Sequence, residues 1–241
     1  MSQTDKFALV LRPPSAVERL DSGVKRVLAR MVTDVLDMAA VEDGDRRGLW
    51  RDLEEPVHLY GVAAAQGDAL ANKSTGRCHE HGLGVPRDLE RAFHHYRLAF
   101  MQGTGGLAAN ELGCCFLFGR GVPKEYERTA LEHAANCFQH GAELGQDPDC
   151  QCNLGSCYLY GTGVQKNPAE AYMWFKLAAE QGHLEARVQL TALSSSTSPD
   201  EVAKGQRAHD VYLRRRAQHP WPGHPPVTDA TYEEYCKRKL P

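Results

Sequence analysis

The apolar positions of this chain recur mostly at helical spacing. Over 15–40, Val17, Leu20, Val24, Val27, Leu28, Met31, Val35 and Leu36 return at intervals of three and four, which predicts one amphipathic helix. Further along, a short unit repeats. Ala71, Thr75 and His79 stand four residues apart, as do Ala108, Leu112 and Phe116, and Cys150, Leu154 and Tyr158. Residues four apart share a helix face, so each trio predicts the buried side of a helix. A Gly-x-Gly-Val follows each trio: Gly82 to Val85, Gly119 to Val122, Gly161 to Val164. A second periodic stretch comes next, with Ala92, His95 and Tyr96, then Ala134, Cys137 and Phe138, then Ala171, Trp174 and Phe175. These stretches close on Gly103, Gly145 and Gly182.

Each unit therefore reads helix, tight turn, helix, glycine stop. A closing glycine suits a helix C-terminus because it adopts positive φ without strain. Small residues on the first helix (Gly76, Gly113, Gly155) and the second (Ala99, Gly141, Ala178) let the two approach closely. The second unit holds five extra residues before Ala134, which predicts a longer helix or a bulged loop. Asn167-Pro168-Ala169-Glu170 predicts an N-cap, a first-turn proline and a glutamate that bonds back to the cap. Asp88 is the matching cap in the first unit. Partial units flank the three: 59–67 matches the end of a second helix, and 183–190 a first helix. Ser198, Pro199 and Glu201 then start a polar helix, as a terminal repeat requires.

Gly161-Thr162-Gly163 ahead of a helix raises the question of a phosphate loop. No strand precedes it, no third glycine or Gly-Lys-Ser/Thr follows, and the same turn occurs three times. Recurrence marks a repeat architecture, so the glycines turn a corner.

The pattern A-x-x-x-L-G-x-x-Y-x-x-G-x-G-V, then A-x-x-W-F-x-x-A-A-x-x-G, resembles the Sel-1-like repeat family, a branch of the tetratricopeptide-like α/α solenoids. The third unit matches nearly throughout: Leu154, Gly155, Tyr158, Gly161, Gly163, Val164, Ala171, Trp174, Phe175, Ala178, Ala179 and Gly182. The first departs at Thr75, His79 and His95. The resemblance implies an all-α fold, a right-handed superhelix of helix pairs with a capping helix at each end. It divides the chain into an extension (1–14), the N-terminal helix and linker (15–55), the array (56–195), a C-terminal capping helix (196–216) and a Pro-rich, charged tail (217–241). The full repeats are 68–103, 104–145 and 146–182.

Composition narrows the function. The chain has 241 residues, 42% hydrophobic, with a formal net charge of −3, which gives no pull toward nucleic acid or an anionic membrane. No apolar run reaches the length of a membrane span, and no secretory signal is visible, so a cytoplasmic protein is expected. The eight cysteines are then expected as reduced thiols. Cys78, Cys115 and Cys157 hold one position in the three units, near the seam between helices, where cysteine acts as a small hydrophobe.

The one metal-like cluster is Cys78-His79-Glu80-His81 with His94-His95, whose positions in the repeat would allow His79 and His95 to face each other inside the first unit. The cysteine spacings are not those of a zinc site. No metal or cofactor is expected, and no catalytic triad or carboxylate pair stands out. The family resemblance implies a non-enzymatic scaffold that binds a peptide or protein on its concave, first-helix face. The positions alternating with the packing residues are Asn72, Lys73, Arg77, Asn110, Glu111, Gln151, Asn153 and Ser156. Asparagines there suit hydrogen bonding to a peptide backbone. Two other readings stay open. One is a cysteine-rich enzyme or a thiol or metal protein built on the first unit, since some secreted proteins resembling this family are assigned hydrolase or cell-wall-related activity. The other is a homodimer through 15–40.

Overall fold

The computed structural model describes residues 57–103 and 106–218. The predicted helix over 15–40 and the tail from 219 onward lie outside the described residues. The chain divides into two compact units, one ending at Gln102 and one starting at Gly103.

The first unit contains α1 (57–65), α2 (Ala69–His81) and α3 (Leu89–Gln102). The second contains α4 (Ala109–Phe118), α5 (Ala130–His140), α6 (Pro148–Tyr160), α7 (Pro168–Glu180), α8 (Leu184–Ser196) and α9 (Pro199–Gln218). No strand occurs among the described residues. Helix pairs α2–α3, α4–α5 and α6–α7 are the three predicted units, each antiparallel about its Gly-x-Gly turn.

The turns behave as the sequence requires. Both glycines of each are left-handed: Gly82 and Gly84 at φ 69° and 65°, Gly119 and Gly121 at 64° and 66°, Gly161 and Gly163 at 76° and 70°. At Gly163 the backbone of α5 presses in, and a Cβ would lie 2.0 Å from the Leu131 carbonyl oxygen.

The helix pairs are held by one repeated device. The glycine of each first helix seats the aromatic ring of its second helix. A Cβ on Gly76 would stand 2.7 Å from the Tyr96 ring, one on Gly113 2.5 Å from Phe138, and one on Gly155 2.8 Å from Phe175. All three rings are fully buried. Each contributes about 1.5–3 kcal/mol of burial free energy. In the first unit the core gathers Val57, Tyr60, Ala63, Ala64, Ala71 and Cys78; in the second, Cys152, Ala171, Phe175, Ala178, Ala186 and Leu193 form one cluster.

Two local expectations are corrected, and one pair of alternatives is decided. The extra residues of the second repeat enter the loop, where a 3-10 turn at Lys124–Tyr126 precedes α5. Tyr126 in that loop packs edge-on against Phe116 and His133, at 5.7 and 5.3 Å. Next, Gly145 ends a π-turn (Gly141–Gly145), and the left-handed residue is Gln146, at φ 52°. Gly141, at the start of that turn, packs tightly against α4 and α6: a Cβ there would meet Cys150 Sγ and Ala109 Cβ. Finally, the Asn167 side chain accepts from the Ala169 and Glu170 amides at 3.1 and 3.2 Å, but its own N–H donates to the Tyr158 carbonyl at 2.9 Å. Glu170 therefore has no cap amide to bond back to. The first repeat repeats the arrangement, with Asp88 N–H donating to the His79 carbonyl.

Candidate functional site

Of the first helices, α2, α6 and α8 start on side-chain caps, whereas α4 starts at left-handed Ala108 with none. Asp68 accepts from the Ala71 amide at 2.9 Å and Asp147 from the Cys150 amide at 2.8 Å. His183 does the same for α8 through Nδ1, at 3.1 Å from Ala186 N. An accepting Nδ1 fixes the proton on Nε2, which donates to Asp149 at 3.0 Å. This imidazole cap was not foreseen, because histidine is not among the usual capping residues.

Within the second unit, α4 and α6 bring two of the predicted residues together. Asn153 Nδ2 donates to Asn110 Oδ1 at 2.8 Å across the two first helices, and both residues are half-buried. The bond uses one edge of each amide. It leaves the Asn110 NH2 group as donor and the Asn153 carbonyl oxygen as acceptor. Glu111 is half-buried beside them. Ser156 is half-buried too, but its hydroxyl donates to the Cys152 carbonyl of its own helix at 3.2 Å.

Two predicted residues lie inside. Gln151 is fully buried, its Oε1 accepting from Gln181 Nε2 at 2.8 Å. Asn72, in the first unit, is fully buried as well. Its Nδ2 faces Gln102 Oε1 at 2.9 Å, the Asp68 carbonyl at 3.2 Å and the Ala64 carbonyl at 3.3 Å. Both amides are helix-pair staples, each linked to the residue just before the closing glycine, and neither is a surface contact. Helical phase at that position leans into the pair, and a polar side chain there stays only because an amide meets it. Lys73 is half-buried and Arg77 exposed.

The histidine cluster of the first unit is real as a packing unit. His79 and His95 lie parallel, ring centroids 5.7 Å apart, and His94 meets His95 edge-on at 5.8 Å. His95 Nδ1 stands 3.0 Å from Asn72 Oδ1. Burial first, then the neighbouring His79, His94 and Arg91, push His95 down to about 4. Burial also lowers His79. The thiols are held protonated: burial raises Cys78 and Cys152 to about 11 and Cys157 to about 12. A protonated thiol is neither a nucleophile nor a metal ligand. Among the described residues, no group of three or more His, Cys, Asp or Glu is placed to hold a metal ion.

Sequence reasoning also passed over Phe118 and Tyr160. Each stands one residue before its Gly-x-Gly turn and is strongly exposed, and the Arg120 guanidinium lies 4.9 Å above the Phe118 ring.

A family model for the Sel1 repeat matches residues 69–104, 106–146 and 148–183. The chain thus carries three Sel1 repeats. It is 28% identical over 193 residues to chitin synthase regulatory factor 3 of Schizosaccharomyces pombe, covering 78% of this chain and 20% of that protein. It is 32% identical over 90 residues to the ERAD-associated E3 ubiquitin-protein ligase component HRD3B of Arabidopsis thaliana, covering 37% and 14%. The chain thus spans a fifth or less of either relative. A crystal structure of a Sel1 repeat protein from Oxalobacter formigenes superposes with a TM-score of 0.51 at 28% identity, covering 67% of this chain and 64% of that one. The fold is accordingly an all-α Sel1-type α/α solenoid. Sel1-repeat proteins generally act as protein-interaction scaffolds. No helix among the described residues is long and apolar enough to cross a membrane.

Proposed function

We propose that this protein is a non-enzymatic scaffold that binds a protein or peptide partner on the concave face of its first helices. The observation that carries the reading is the Asn153–Asn110 bond, which orients two amides at one face of α4 and α6. Their open edges, one donor and one acceptor, complement the C=O and N–H of a partner's main chain. Glu111 flanks them in the second unit, and Lys73 and Arg77 supply charge in the first. Asn72 and Gln151 act beneath the surface as staples. A cytoplasmic location is part of the same proposal; a homodimer through 15–40 is a separate reading that lies outside the described residues. The competing reading, thiol or metal chemistry at Cys78, His79, His81, His94 and His95, is weakened by the protonated Cys78 thiol and the low basicity of His95.

The test is affinity capture from the native cell extract, then titration of the retained partner against Asn110→Ala/Asn153→Ala. The dissociation constant is expected to rise about tenfold or more, the loss of one to two hydrogen bonds, with little change in melting temperature. Unchanged affinity removes the asparagines from the site.

A further inference from the structure

Packing accounts for the buried cysteines of the array but not for Cys114. Cys78, Cys115 and Cys157 hold one position in the three repeats, and all three are buried. Cys114 stands one place earlier, where the first repeat has Arg77 and the third Ser156. Arg77 is exposed and Ser156 half-buried. Cys114 is half-buried too, and among the described cysteines it alone is not buried. The small-hydrophobe role that suits the others therefore does not explain it.

The register of α4 on α6 supplies a partner. Both helices begin at Gly141, which packs on Ala109 of one and Cys150 of the other, so they run in the same direction. Asn153 Nδ2 meets Asn110 Oδ1 at 2.8 Å between them. Cys114 lies four residues beyond Asn110, and Cys157 four beyond Asn153. Each step is about one turn, a rise of about 6 Å, so the two cysteines come level on the sides of the helices that hold the amides. The electrostatics agrees. Burial first, then Cys114 as a like charge, raise the Cys157 thiol to about 12.

We infer that Cys114 and Cys157 are a thiol pair that a small-molecule disulfide, such as oxidised glutathione, converts to a disulfide joining α4 to α6. The Cys114 thiolate attacks one sulfur of the reagent, forming a mixed disulfide and releasing one glutathione thiolate, which takes up a proton. Cys157 then ionises, and its sulfur attacks the Cys114 sulfur. The second glutathione leaves as a thiolate and takes the proton Cys157 gave up. Two protein thiols are oxidised and one reagent disulfide is reduced to two thiols. Buried Cys157 makes the second step the slow one, although the mixed disulfide removes the Cys114 charge that opposes its ionisation. The pair stands independently of what the neighbouring asparagines bind.

The test treats the native full chain with oxidised glutathione, alkylates the remaining thiols and maps the peptides by mass spectrometry. A linked peptide joining Cys114 to Cys157 is expected, with both thiols restored by dithiothreitol. Closure is expected to quicken about tenfold per pH unit, as the thiolate fraction of a group far above the working pH does. Cys157→Ala is expected to stop at the mixed disulfide on Cys114, and Cys114→Ser to leave Cys157 a thiol. A mixed disulfide that never transfers in the unaltered chain overturns the proposal. Cys114 joined to any other cysteine, or no loss of the two thiols, overturns it equally.

Discussion

The first and third repeats use one frame for different chemistry. Both seat an aromatic ring on a glycine, Tyr96 on Gly76 and Phe175 on Gly155. Both staple the pair with a buried amide met by a glutamine thirty residues on, Asn72 to Gln102 and Gln151 to Gln181. They part where the third repeat has Tyr158 and Trp174, because the first has His79 and His95. Close packing fixes the shape of those two positions but not their protonation. The first repeat stacks the two imidazoles on each other and so places groups that titrate where the third has none.

The largest test of the shared frame is truncation of its rings. Tyr96→Ala and Phe175→Ala are each expected to cost about 3–5 kcal/mol in denaturant unfolding, the range for emptying a buried aromatic site. Loss below about 1 kcal/mol at either place means the glycine–ring seat does not hold that repeat.

The staples separate the repeats further. Gln151 Oε1 is met by Gln181, and its Nε2 has no partner. Gln181→Ala strands this buried amide, at an expected cost of about 1–3 kcal/mol. Asn72 retains the Ala64 and Asp68 carbonyls and His95. Gln102→Ala is therefore expected to cost about 1 kcal/mol or less. Equal losses in the two variants contradict this difference.

The smallest effect is the pH response of the first repeat. His95 is held down to about 4 when folded, against an ordinary value of 6.5. The unfolded chain thus binds more protons between those values. Its stability contribution is complete above pH 6.5 and declines as pH falls toward about 4. The ring is only half-buried, so solvent screening reduces the effect to roughly 1–2 kcal/mol. Arg91 and His94 reinforce the loss, and Asp88 near His79 opposes it. His95→Trp, the residue of the third repeat, is expected to flatten the stability–pH curve in that window. An unchanged curve contradicts the assignment.

Much of this architecture is legible from spacing. The Gly-x-Gly turns and the glycine–ring seats follow from aligning the repeats, since each rests on a local rule repeated three times. The left-handed Gln146 and the π-turn at Gly141 do not, because they lie where Gly141 meets Cys150 of α6, a contact between repeats. The site is less legible than the fold. Asn153 and Asn110 meet as neighbours on adjacent first helices, but Asn72 and Gln151 are also amides at nearby positions and lie inside. A rotation of one residue along a helix separates surface from staple, and only the partners Gln102 and Gln181 reveal which is which.

The most direct test of the scaffold reading is a hydrogen-exchange footprint of the captured partner on this chain. Protection concentrated on α4 and α6 around Asn110 and Asn153, and lost in Asn110→Ala/Asn153→Ala, is the predicted result. A tight complex whose protection spares both helices contradicts it.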